Sequence, residues 1–130
     1  MKNTAAGPRK FWRSFVYAAQ GIRQAFRSEL NMKVHTGAAV LVLLCAGLLR
    51  LPPSSWLKLL LAITLVLSAE LMNTAIEAVV DLVSPDYHPL AKIAKDTAAG
   101  AVLLTAVFAV ITGIFVFYGP VMDWIAAVMR

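Results

Sequence analysis

Glu70, Asn73, Glu77 and Asp81 recur at helical spacing in the stretch AELMNTAIEAVVDL, residues 69–82. At about 100° per residue they fall within roughly 80° of arc, as a stripe about 16 Å long. Three carboxylates and an amide on one helix face can abstract a proton, ligate a hard divalent cation or line an ion path. A second polar group follows in DYHPLAKIAKD (86–96): Asp86, Tyr87, His88, Lys92, Lys95 and Asp96. Lysines beside carboxylates suit a nucleoside triphosphate and its Mg2+, which one or two carboxylates plus phosphate oxygens usually hold. No G-x-x-x-x-G-K-S/T loop and no kinase glycine loop exists in the chain, so any phosphoryl transfer uses another architecture.

The elements that must carry these groups are hydrophobic. The chain has 130 residues, of which 60% are hydrophobic and 15% charged. A soluble domain is roughly 45–50% apolar, so a chain of this length belongs in a membrane. About 20 apolar residues cross the hydrocarbon core, and three stretches qualify, over about 34–50, 56–83 and 96–118. LPPSS (51–55) and SPDYHP (84–89) break them, because proline does not continue a helix. Nothing alternates like a strand. The expected class is all-α integral membrane, a single domain over 1–130 with three spans.

Seven of the twelve lysines and arginines (Lys2, Arg9, Lys10, Arg13, Arg23, Arg27 and Lys33) precede the first span, and Lys92 and Lys95 sit in the second loop. The positive-inside rule then puts the N-terminus and the second loop in the cytoplasm. Residues 1–9 read as disordered. In 11–30, Phe11, Phe15, Ala18 and Ile22 oppose Arg13, Gln20 and Arg27, the pattern of an amphipathic helix lying on anionic headgroups. The first strongly apolar run begins only near residue 34, which argues against a cleaved signal peptide. Cys45 is alone, so an internal disulfide is excluded and it reads as a structural thiol. Residues 119–130 form a C-terminal tail.

A charge near mid-bilayer costs roughly 2.5–3.5 kcal/mol, so the stripe needs protein, water or a cation opposite it. One reading is a polar seam gluing helices together; another is an ion pathway in a non-enzymatic membrane protein. The acids occupy only one half of the span, however, while LLLAITLVLS (59–68) is uninterrupted by charge. A path that stops halfway is a pocket. The reading adopted is chemistry at the cytoplasmic interface.

The motif E-x-x-N-T-A-I-E-x-x-V-D (70–81), with YHPLAKIAKDTAAGAVLL (87–104), resembles the prokaryotic diacylglycerol kinase family of small membrane lipid kinases, its undecaprenol kinase branch in particular. The resemblance spans about residues 10–118. It implies a homotrimer with active sites shared between neighbouring subunits, in a bacterial cell membrane, with ATP and a lipid alcohol as partners and no nucleic acid. Residue by residue, it implies that Glu70 is the general base toward the lipid hydroxyl and that Glu29 and Glu77 ligate the Mg2+. Asn73 and Asp81 match supporting polar positions, and Lys95 with Asp96 resembles the phosphate and nucleotide contacts. Asp86, Tyr87 and His88 match the adenosine loop, with Lys10 and Tyr17 contributing from the surface helix.

The acceptor implied is undecaprenol, with diacylglycerol the alternative. ELNMKVH (29–35), with Asn31 and His35, looks like the polyprenol branch. His35 has two readings, a contact to the lipid or a helix cap, and the cap is the plainer one. Phe11, Phe15, Phe26 and Met32 around the approach to Glu70 offer few partners for glycerol esters.

Overall fold

The computed structural model describes residues 8–129, as four helices and no strand. They are α1 (Pro8–Ser28), α2 (Leu30–Leu48), α3 (Pro53–Val83) and α4 (Pro89–Val128). Residues 1–7, most of the segment expected to be disordered, lie outside the described residues, and Pro8 and Arg9 already belong to α1. The helices α2, α3 and α4 are each long and apolar enough to cross a membrane.

The chain turns sharply between α2 and α3. Leu49 N–H donates to the Cys45 carbonyl, Arg50 N–H to Gly47 and Leu51 N–H to Ala46. Arg50 sits at φ 51°, the left-handed residue that commonly closes a helix. The two prolines of LPPSS therefore do not end α2. They start α3, with Pro52 at the N-cap and Pro53 just inside, where a missing N–H costs nothing. The second break is similar: Ser84 N–H donates to Val80, and α4 opens on His88 and Pro89. His88 Nδ1 accepts the Leu90 N–H at 3.2 Å, so this histidine is a helix N-cap.

In packing, α3 is the central element. It runs antiparallel along α4 and more briefly along α2, while α1 packs lightly on α2 and α3. Away from the acids, Ala46, Leu51, Leu59 and Val116 make a buried apolar cluster that ties the ends of α2, α3 and α4 together. The helix α4 has 40 residues, about 60 Å, roughly twice the hydrocarbon thickness. It continues through 119–128, the segment expected to be a tail, with Pro120 inside it.

Candidate functional site

The acidic stripe lies on α3 with a gradient of burial. Glu70 is 1% exposed and Asn73 6%, the two buried polar residues among those described, while Glu77 is half-buried and Asp81 exposed. Each position has a different partner. His35 of α2 brings Nε2 to 3.2 Å from Glu70 Oε1. That contact is angled outside good hydrogen-bond geometry, which leaves Glu70 Oε1 buried and without a hydrogen bond. The Thr74 hydroxyl donates to the Glu70 carbonyl at 2.9 Å, fixing the backbone beneath the acid. Asn73 Nδ2 donates to Glu77 Oε1 at 3.1 Å, and Asn73 Oδ1 is also buried without a partner. At the exposed end, Lys95 Nζ lies 2.5 Å from Asp81 Oδ1.

His35 thus does not cap α2. Glu29 holds the N-cap position, and His35 stands more than a turn inside the helix, pointing at α3. Glu29 makes no side-chain capping bond, so its carboxylate is uncommitted, and both it and Glu77 lie within Coulombic range of Glu70. Glu77 is in turn within Coulombic range of Lys95. The site is therefore one electrostatically connected run, from Glu29 and Glu70 through Glu77 to Asp81 and Lys95. Among the described residues, no three His, Cys, Asp or Glu side chains come close enough together to hold a metal by themselves.

The loop residues gather where the stripe ends. Asp81, Asp86, Tyr87, His88, Lys92, Lys95 and Asp96 line a surface pocket of about 370 Å³. Lys92 pairs with Asp96 one turn on, so Asp96 is shared with Lys92 and Lys95 turns to α3. No residue of α1 lines this pocket. Within a single chain Lys10 and Tyr17, both exposed, are not brought to Asp86, Tyr87 and His88. Asn31, in the first turn of α2, is exposed.

The pairing of His35 with Glu70 is the feature that residue types alone did not reveal. A signal for it existed. His35 is six residues into α2 from Glu29, and Glu70 is seven residues into α3 from Glu77. On antiparallel helices rising 1.5 Å per residue, they lie about 9 and about 10.5 Å deeper than those acids, close to one level.

Three apolar helices with one buried carboxylate in a polar stripe, flanked by paired lysines and an open pocket, define a small helical membrane protein with a polar site at its margin. Residues 16–117 match the family model of prokaryotic diacylglycerol kinase. The chain is 46% identical over 108 residues to an undecaprenol kinase of Bacillus subtilis (strain 168), covering 83% of this chain and 88% of that one. It is 52% identical over 101 residues to a diacylglycerol kinase of Synechocystis sp., covering 77% of this chain and 58% of that relative. To the diacylglycerol kinase of Escherichia coli (strain K12) it is 33% identical over 112 residues, covering 86% and 92%. The chain belongs to the prokaryotic diacylglycerol kinase family: it is a bacterial membrane lipid kinase, a phosphotransferase with an alcohol acceptor.

Proposed function

We propose that the chain uses ATP and Mg2+ to phosphorylate the terminal hydroxyl of undecaprenol at the cytoplasmic face of the membrane. The observation that carries this reading is Glu70: a fully buried carboxylate with one oxygen lacking a hydrogen bond, two turns from Glu77 and continuous with the Lys95 pocket. In the transfer, the lipid hydroxyl oxygen forms a bond to the γ-phosphorus while the bond from that phosphorus to the bridging oxygen of ADP breaks. The hydroxyl proton passes to Glu70. Such a base contributes about 10²–10⁴ in rate, and the rest is positioning and charge stabilisation.

Glu29 and Glu77 would hold the Mg2+. The described residues offer no three-ligand cage, which suits an ion usually held by one or two carboxylates plus substrate phosphates. The carboxylate of Glu29 is uncommitted, and Asn73 orients that of Glu77. When bound, the ion neutralises charge on the transferring phosphoryl group. Lys95 and Asp96 would meet the phosphates, with Asp81 steering Lys95. Asp86, Tyr87 and His88 would hold the adenosine.

In this reading residues 1–130 form a single domain with the N-terminus and the α3–α4 loop in the cytoplasm, as the lysines and arginines favour. The exposed Phe11, Trp12 and Phe15, clustered edge to face, support α1 as an amphipathic helix lying in the headgroup layer. Lys10 and Tyr17 stand apart from the nucleotide pocket in one chain, which supports a homotrimer in which a neighbour's α1 completes the site.

The acceptor follows the Bacillus relative, which is matched over nearly its whole length. Diacylglycerol is the second reading, favoured by the higher identity to the Synechocystis relative. Purified protein given MgATP and each lipid in separate mixed micelles tests the choice: undecaprenol is expected to have the higher kcat/KM. A higher value for diacylglycerol reverses the acceptor and leaves the kinase reading intact.

A further inference from the structure

The last turns of α4 lie beyond residues 16–117, which the family model matches, and they carry no residue of the site. The last buried residue of α4 is Val116, which shares the apolar cluster with Leu51 of the α2–α3 turn. The level of Val116 is therefore already the end of the other two spans, and Arg50 beside Leu51 marks it as headgroup depth. From Val121 to Met129 every residue is exposed. Val128 stands 12 residues past Val116, about 18 Å along a helix, whereas the headgroup layer on one side is only about 5–8 Å thick. Continued straight, α4 would carry Ile125, Val128 and Met129 out into water. Their spacing points elsewhere. Val121, Trp124, Ile125, Val128 and Met129 recur at i, i+3, i+4, i+7 and i+8, so five large apolar side chains share one face. Asp123, Ala126 and Ala127 make up the opposite face. Pro120 stands just before this pattern, inside the helix. Its missing N–H leaves the Val116 carbonyl without its helical partner, and helices kink at such a point.

We propose that α4 turns at Pro120 and lays residues 121–129 along the membrane surface opposite the acidic stripe, with the Val121–Met129 face sunk into the lipid. The partner is the boundary between headgroups and acyl chains of that leaflet. Continuity selects it: no charge interrupts α4 between Asp96 and Asp123, and the exposed Ile114, Phe115 and Tyr118 of the span lead directly into the apolar face. Trp124 is 59% exposed and of the type that settles at headgroup level, apolar in its body and polar at one edge. The one charge, Asp123, falls on the face turned to water. A second copy of the chain fits this face poorly, since nine residues give little more than one heptad and paired helical seams run over three to four. The anchor also differs in kind from α1. It has no lysine or arginine over 119–129, so apolar burial alone holds it, with no attraction to anionic headgroups.

Spin labels read the placement position by position. Full-length protein with Cys45→Ala receives one cysteine at a time over 121–129, is labelled, and is reconstituted in vesicles of phosphatidylethanolamine and phosphatidylglycerol. Collision with oxygen, which concentrates in the bilayer, is compared with collision with a water-soluble nickel chelate. The oxygen-to-nickel ratio is expected to oscillate with the helical period, several-fold higher at 121, 124, 125 and 128 than at 123, 126 and 127. Raised salt, or phosphatidylcholine in place of phosphatidylglycerol, should leave the oscillation in place, and Pro120→Ala should flatten it. High nickel collision at every position means a helix standing in water, and high oxygen collision at every position a span that continues in the bilayer. Exclusion of both reagents from 121, 124, 125 and 128 means a protein partner or a second copy. Each of these three results overturns the proposal, and an oscillation unchanged in Pro120→Ala overturns the hinge. A second measurement leaves the segment unaltered, so it decides even where a cysteine variant fails to fold. With Trp12→Phe and Trp56→Phe, Trp124 is the one tryptophan left. Lipids brominated near the headgroup should quench it more than lipids brominated at the chain end, and aqueous iodide should quench it weakly. Strong quenching by iodide, or strongest quenching from the chain end, contradicts an interfacial anchor.

Discussion

Replacing His35 with alanine probes the contact on which the geometry of the base depends. Among the described residues the imidazole is the basic side chain paired with Glu70 Oε1, and Glu70 is 1% exposed, so water does not readily take its place. A hydrogen bond to a charged group is worth about 1.5–3 kcal/mol. The 3.2 Å separation is longer than the 2.7–2.9 Å of a strong charge-assisted bond, and Glu70 Oε1 makes no hydrogen bond of good geometry, so the contact falls at and below the low end of that range, about 1–2 kcal/mol. At about 1.4 kcal/mol per tenfold, His35→Ala should lower kcat/KM for the lipid about 5- to 30-fold. The assay is initial-rate transfer from γ-32P-labelled ATP into organic-soluble product, run on wild type, His35→Ala, Glu70→Gln and the double variant. Because His35 acts through Glu70, its effect should nearly vanish in the Glu70→Gln background, giving a coupling energy close to the single-variant loss. Full additivity of the two substitutions, or an effect of His35→Ala below two-fold, would mean that His35 does not act through Glu70.

Glu77→Gln should abolish transfer while the protein keeps its size in detergent, and raised Mg2+ should partly restore Glu77→Asp. Asn73→Ala, which releases Glu77 from its 3.1 Å bond, should raise the Mg2+ concentration for half-maximal rate about 5- to 10-fold, the worth of about one hydrogen bond; no change would make Asn73 a packing residue. Lys95→Ala should raise the KM for ATP more than Asp81→Asn does, because the aspartate only directs the lysine, and the reverse order would exchange their roles. Arg50→Gly should stabilise the α2–α3 turn by roughly 0.5–1 kcal/mol, since a side chain at φ 51° is strained where glycine is not. Thermal unfolding in detergent reads this, and a fall in midpoint would contradict it.

Much of this arrangement was legible in residue order. Glu70, Asn73, Glu77 and Asp81 declare themselves because helix periodicity is local, and the three spans do so because bilayer crossing depends on length and hydropathy alone. The loop residues from Asp86 to Asp96 gather as expected, since α3 and α4 are joined by a turn of a few residues. What escaped was tertiary. His35 looked like a cap because it sits near the start of an apolar run, and only the packing of α2 on α3 turns it to Glu70. The end of α2 was assigned to proline, whereas Arg50 closes it in a conformation that no glycine advertised. Residues 119–130 read as a tail, yet α4 continues through 119–128, and a helix in a membrane protein tolerates an internal proline where neighbouring groups re-satisfy the backbone.

In this reading the buried Glu70 carboxylate takes a proton from a lipid hydroxyl. Single-turnover transfer from γ-32P-labelled ATP to undecaprenol, with Glu70→Gln against wild type at saturating ATP and lipid, measures it most directly. The rate of label entering the lipid should fall by about 10²–10⁴, with the Kd for ATP within two-fold of wild type. An unaltered transfer rate, or an ATP Kd that collapses while the rate at saturation holds, would contradict it and move Glu70 from the base to the nucleotide site.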